Sequence, residues 1–151
     1  MNKQVGFTLI ELVVVIVILG ILSVTAAPRF LNLQSDARVS ALKGMKGAMA
    51  GAGSIVYGKA AINGVERATS ASVSNIALVF GYPEASELGI VRAVQGLEDR
   101  ADWAFSEEVI SDSLVVTFAG RELLSDPQCS VIYENAVMGS APSITVVETG
   151  C

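Results

Sequence analysis

The sequence predicts an α+β protein: a long N-terminal α-helix packed on an antiparallel β-sheet of about four strands. Three observations predict it. Residues 7–27 form an apolar run interrupted by one carboxylate, Glu11. Helical spacing of small and apolar residues resumes beyond Pro28 and continues to Asn63-Gly64. After Gly64 the period shortens, and β-type runs alternate with Ser, Asp, Gly and Pro.

As a helix, residues 7–27 are about 31 Å long, the thickness of a bilayer's hydrocarbon core. Gly20 lowers helix propensity there, and Pro28 removes a backbone donor. Pro28 kinks rather than ends it, because Phe30, Leu33, Ala37, Ala41, Met45, Ala48, Ala52 and Ile55 continue at spacings of three or four. That stripe is the expected buried face. Gly44, Gly47 and Gly51 form a flat strip, either for close approach of other backbone or as small residues tolerated at helix–sheet contacts. Residues 68–74 are small and polar and read as loop. Residues 76–80 lead into the turn signal Gly81-Tyr82-Pro83, and residues 85–94 suit one short helix. Residues 103–105, 114–119, 129–133 and 144–147 supply the strands.

Composition excludes several functions. The chain of 151 residues has no His, which removes Ser-His-Asp triads, Cys-His dyads and His-containing metal sites. Lys and Arg total 10, are scattered, and leave a net charge of −5, so no broad nucleic-acid surface is indicated. The phosphate-binding pattern G-x-x-x-x-G-K-[ST] does not occur, and no cofactor site or catalytic pairing is legible. Glu98, Asp99 and Asp102, followed by Glu107, Glu108 and Asp112, lack the spacing of a calcium loop and read as a solvated surface. Trp103 lies among strand residues and reads as core rather than as a sugar-stacking platform. The three tyrosines, Tyr57, Tyr82 and Tyr133, are too sparse for an electron-transfer path.

The isolated carboxylate is the functional clue. A charge in a bilayer-length apolar segment is costly unless it lies at the interface or finds a partner. The preceding residues suggest the partner. Cutting after Gly6 creates an amine on Phe7, cationic below a pKa of about 7.7–8. Glu11 lies four residues on, within reach of that amine or the same amine on a neighbouring subunit.

The string Gly6-Phe7-Thr8-Leu9-Ile10-Glu11-Leu12, followed by the apolar run, resembles the leader junction of type IV pilins and pseudopilins. The resemblance implies cleavage between Gly6 and Phe7 by prepilin peptidase, N-methylation of Phe7, and assembly through Phe7 and Glu11. It implies a subunit held first in the inner membrane and then packed by the type IV pilus machinery into a homo-oligomeric helical filament, a structural rather than enzymatic role. Gly20 and Pro28 match positions where pilin helices loosen on assembly. The expected organisation is a leader at 1–6, a transmembrane and filament-core helix at 7–28, an amphipathic second half at 29–64, and a globular β-rich unit at 65–151. In an exported unit, Cys129 and Cys151 read as one disulfide, the alternative being two free thiols.

A narrower resemblance lies in the C-terminal part. Gly81-Tyr82-Pro83-Glu84-Ala85, residues 127–136 (Pro-Gln-Cys-Ser-Val-Ile-Tyr-Glu-Asn-Ala) and Thr149-Gly150-Cys151 look like the mannose-sensitive haemagglutinin pilins, a type IV pilin subfamily. This implies an extracellular adhesive pilus used for surface attachment. The alternative is a pseudopilin of a type II secretion system, which shares the N-terminus. A disulfide-closed C-terminal region is common in pilins and uncommon in major pseudopilins.

Overall fold

The computed structural model describes residues 6–106, 112–121 and 127–151, with the backbone alone over 27–32. Its elements are α1 (Leu9–Ile62), β1 (Ala71–Val73), β2 (Ile76–Val79), β3 (Tyr82–Pro83), a π-helical turn (Glu87–Val91), β4 (Trp103–Ser106), β5 (Ser113–Phe118), β6 (Ser130–Glu134) and β7 (Ser143–Val147). The architecture is α+β, a long N-terminal apolar helix followed by antiparallel sheets. The chain divides into two compact units, residues 1–37 and 38–151.

In the 38–151 unit, α1 buries Leu42, Met45, Met49, Gly53, Val56 and Ala60. These recur at three or four residues, as one helix face must. The face differs from the expected stripe, of whose residues 33–55 Met45 alone is buried. Ala41 and Ala48 are exposed, Ala52 is half-buried, and Ile55 is 75 % exposed. Volume decides between the two faces, because Leu42, Met49 and Val56 remove more apolar area from water than the alanines. Gly44, Gly47 and Gly51 have open space around them, so they do not serve helix–sheet contacts in this unit. The helix stops where the sequence predicts. Gly64 takes φ +71°, its N–H donates to Ala61 O at 3.1 Å, and the Val65 N–H donates to Ala60 O at 3.0 Å. These two bonds satisfy carbonyls of the last turn, the Schellman arrangement that needs glycine's left-handed backbone.

The larger sheet is antiparallel in the order β4-β5-β6-β7. Its register aligns one apolar row, Phe105, Val116, Val131 and Val146, and beside it Leu114, Tyr133 and Ile144. These side chains share a core with Leu42, Met45 and Met49 from α1 and with Ile90, Val91, Val94 and Leu97. Burying each such side chain stabilises by about 1.5–3 kcal/mol. Trp103 is half-buried at the edge of this core and stacks on Phe118 with centroids 4.9 Å apart.

A second, three-stranded sheet, β1-β2-β3, was not expected from the sequence. Part of the expected loop at 68–74 is strand β1. Ser74 and Asn75 both take positive φ, 54° and 64°, and join β1 to β2 by a two-residue hairpin turn. Ser-Asn is a weaker signal for that turn than Asn-Gly, and β1 is rich in small residues. Val73 and Leu78 of this sheet pack on Val56 and Ala60 of α1. The short helix expected within 85–94 is the π-helical turn Glu87–Val91.

Candidate functional site

The N-terminal site is built by the first turn of α1. Leu9 is the first helical residue, so Thr8 is the N-cap and Glu11 the third helical position. The Glu11 N–H donates to Thr8 Oγ1 at 3.3 Å, and the Thr8 N–H donates to Glu11 Oε2 at 2.8 Å. The Thr8 hydroxyl also donates to Glu11 Oε2, at 2.6 Å. This is a reciprocal capping box, which satisfies backbone donors that a helix start leaves open. A carboxylate in the first turn also suits the positive end of the helix dipole. Reading Glu11 for its charge alone misses Thr8. The signal was present: Thr-x-x-Glu directly ahead of an apolar run.

The surroundings of this turn are apolar and uncovered. Phe7 is 79 % exposed, and every large apolar side chain between Leu9 and Val24 is at least 42 % exposed. Leu9–Ala26 has a mean hydropathy of 2.8, and among the described residues it is a helix long and apolar enough to cross a membrane. The Thr25 hydroxyl is turned onto the helix itself, donating to Leu22 O at 3.0 Å and to Ile21 O at 3.3 Å. Such internal bonding lowers the cost of a hydroxyl in an apolar medium. Gly20 lies in open space, and the helical backbone runs on through Pro28. Residues 1–5 of the expected leader lie outside the described residues.

The remaining predicted residues fall into the 38–151 unit. Cys129 and Cys151 form a disulfide with Cα atoms 4.8 Å apart. The Cys129 N–H donates to Thr149 O at 2.8 Å, and Arg38 Nη1 donates to the Cys151 main-chain oxygen at 3.0 Å. The three C-terminal segments singled out by their motifs meet each other. The Asn135 side chain accepts from the Ala85 N–H at 2.7 Å, and the Tyr133 hydroxyl donates to Pro83 O at 2.8 Å. Burial, with the neighbouring Tyr82, raises the Tyr133 pKa above its ordinary value of about 10. These segments therefore lock the fold through backbone-directed bonds. Of the acidic residues, Glu98 pairs with Arg92 at 3.7 Å and Asp99 accepts from the Ala101 N–H at 3.2 Å, while Glu107 and Glu108 lie outside the described residues. Among the described residues no group of three or more His, Cys, Asp or Glu is placed to hold a metal ion.

Residues 1–27 match the family model of the prokaryotic N-terminal methylation motif. The motif supports a type IV pilin-family protein. For this pilin-like chain it indicates a type IV pilin or pseudopilin, a substrate of prepilin peptidase within pilus or secretion machinery, and a membrane-anchored precursor. The family is structural rather than enzymatic. No curated protein and no solved structure matches the chain.

Proposed function

We propose that this chain is the structural subunit of an extracellular type IV pilus used in surface attachment. The observation that carries the reading is the way Thr8 orients Glu11. Glu11 is the one charge in residues 7–27, and both Thr8 donors fall on Oε2. Oε1 is left to face a cation. Cleavage between Gly6 and Phe7 supplies that cation, the N-methylated Phe7 amine, on the same or a neighbouring subunit. The precursor waits in the inner membrane with the apolar helix in lipid. In a homo-oligomeric helical filament, copies of that helix cover one another, and the amine–carboxylate pair sets the axial register. Gly20 and Pro28 are the places where the helix gives during this transfer.

The disulfide favours a pilus subunit over a pseudopilin of a type II secretion system, on the family resemblance described above. The likeness of residues 81–85, 127–136 and 149–151 to the mannose-sensitive haemagglutinin pilins favours attachment as the role.

Mass analysis of intact subunits from sheared fibres tests the processing: loss of residues 1–6 and gain of one methyl on Phe7 is expected. Glu11→Val tests the register. Removing one partner of a buried charge pair costs about 3–5 kcal/mol, a factor of at least about 100 in subunit addition. Membrane-fraction abundance of the variant should hold while fibre yield collapses. Normal fibres from a strain expressing Glu11→Val alone would overturn the reading.

A further inference from the structure

Cysteine and methionine sulfurs are the side-chain targets of peroxide oxidation, and exposure decides which of them react. The sequence has two cysteines and four methionines. Both cysteines are joined in the disulfide, so no free thiol competes. Met1 lies outside the described residues. Met45 and Met49 are 7 % and 0 % exposed, within the core shared by α1 and the larger sheet. Met138 is 81 % exposed. A turn holds it there. The Ser140 N–H donates to Val137 O at 2.9 Å and closes a four-residue turn with Met138 as its second residue. Gly139, the third, takes φ +81°, the left-handed backbone that a type II turn requires.

The same turn lines a cleft of about 600 Å³, together with Tyr57, Glu66, Arg67, Phe80 and Tyr82. The Phe80 N–H donates to Ala68 O at 2.8 Å and so fixes the segment that carries Arg67. Arg67 is exposed, and among the described residues it belongs to no ion pair. Its guanidinium only donates, and a thioether is a weak acceptor, so Met138 in its reduced form offers Arg67 little. A sulfoxide is different. Oxidation turns a flexible apolar side chain into a polar one with a strongly accepting oxygen. Both side chains are long and unbranched, which lets them meet across the cleft mouth.

We propose that Met138 is an oxidation site that switches this cleft: a peroxide in the surrounding medium converts its thioether to the sulfoxide in the folded chain, and the new oxygen accepts a hydrogen bond from the Arg67 guanidinium. The sulfur lone pair attacks one peroxide oxygen. The S–O bond forms as the O–O bond breaks, sulfur loses two electrons to the peroxide, and the transferred oxygen's proton passes to the departing hydroxide, which leaves as water. The site lies wholly within residues 38–151 and involves neither Phe7 nor Glu11, so it stands or falls independently of filament assembly.

The test uses the full chain in a zwitterionic detergent, treated with hydrogen peroxide at millimolar concentration. Peptide mapping by mass spectrometry follows the gain of one oxygen at each methionine. Met138 should react at least about tenfold faster than Met45 and Met49, which meet peroxide only when the unit opens. Unfolding the chain in guanidinium chloride should bring the three rates together. Equal rates in the folded chain would overturn the proposal, as would selectivity that survives unfolding, which would trace to local sequence. The second readout is the Arg67 Nε–H resonance of isotope-labelled protein. It should shift in step with oxygen gain at Met138, and should stay in place under peroxide in Met138→Leu. Near-UV circular dichroism checks that this variant is folded; if it is not, the parent's time course decides. An Arg67 resonance that does not move in the oxidised parent, or that moves equally in folded Met138→Leu, would overturn the switch.

Discussion

Two stretches of the same helix solve opposite problems. Between Leu9 and Val24 each large apolar side chain is at least 42 % exposed, whereas Leu42, Met45, Met49 and Val56 are at most 8 % exposed. Both stretches are apolar, yet the second is buried within its own unit and the first is exposed. An exposed apolar surface of this extent marks a site that meets lipid or protein. Apolar residues in the two stretches therefore answer to different selectors: shape inside the 38–151 unit, and fit to an external medium between Leu9 and Val24.

The sharpest way to break this comparison is a pair of truncations. Leu42→Ala should destabilise the 38–151 unit by about 2–5 kcal/mol, measured by denaturant unfolding followed through the near-UV signal of Trp103. Val14→Ala should leave that transition unmoved. Comparable losses for the two would mean that the first stretch also stabilises the unit.

A smaller effect sharpens the second half of the comparison. Tyr133→Phe removes the donor to Pro83 O and should cost about 1–3 kcal/mol. The parent also carries a pH signature. The unfolded chain ionises this phenol near pH 10, while the folded chain holds its proton to higher pH. Above about pH 10 the unfolded state thus binds fewer protons, and stability falls as pH rises. Below that value this residue contributes no pH dependence. Tyr133→Phe should flatten the alkaline slope, and an unchanged slope would rule Tyr133 out as its source.

The smallest expected effect lies at the start of the helix. Thr8→Ala should cost about 1 kcal/mol, the value of an N-cap, and should act on the first turn alone. Hydrogen exchange at the amides of Leu12 and Val13 should quicken in the precursor, Thr8→Ser should restore protection, and unfolding of the 38–151 unit should not change. A shift in that unfolding would break the separation between the two regions.

Much of this was legible in the sequence, for reasons that differ by element. The helix stop at Asn63-Gly64 was clear because few residues other than glycine adopt the backbone it needs. The strands near 103–105, 114–119, 129–133 and 144–147 were clear because branched and aromatic residues alternate there between turn formers. The buried face of α1 was misplaced because small residues fit both candidate stripes, and side-chain volume breaks the tie only against a known neighbour. The sheet β1-β2-β3 was hidden by its small polar residues and by a Ser-Asn turn. At the candidate site, Glu11 stood out by charge, whereas Thr8 is marked only by its spacing, three residues ahead of Glu11 at the start of the apolar run. The cleft beside Tyr57 was not legible, since its walls come from residues 57, 66–67, 80–82 and 138–141, brought together by tertiary structure.

The open-sided glycines of α1 have a consequence for how the molecule comes apart. Gly44, Gly47, Gly51 and Gly58 all face open space, and each weakens an isolated helix by about 1 kcal/mol relative to alanine. A peptide of residues 38–62 alone would hold little helix in water. Its order is on loan from the sheets it covers. The amides of these four glycines should therefore exchange with solvent only when the whole unit opens, so the sparsest surface of the helix reports on the most cooperative event in the molecule.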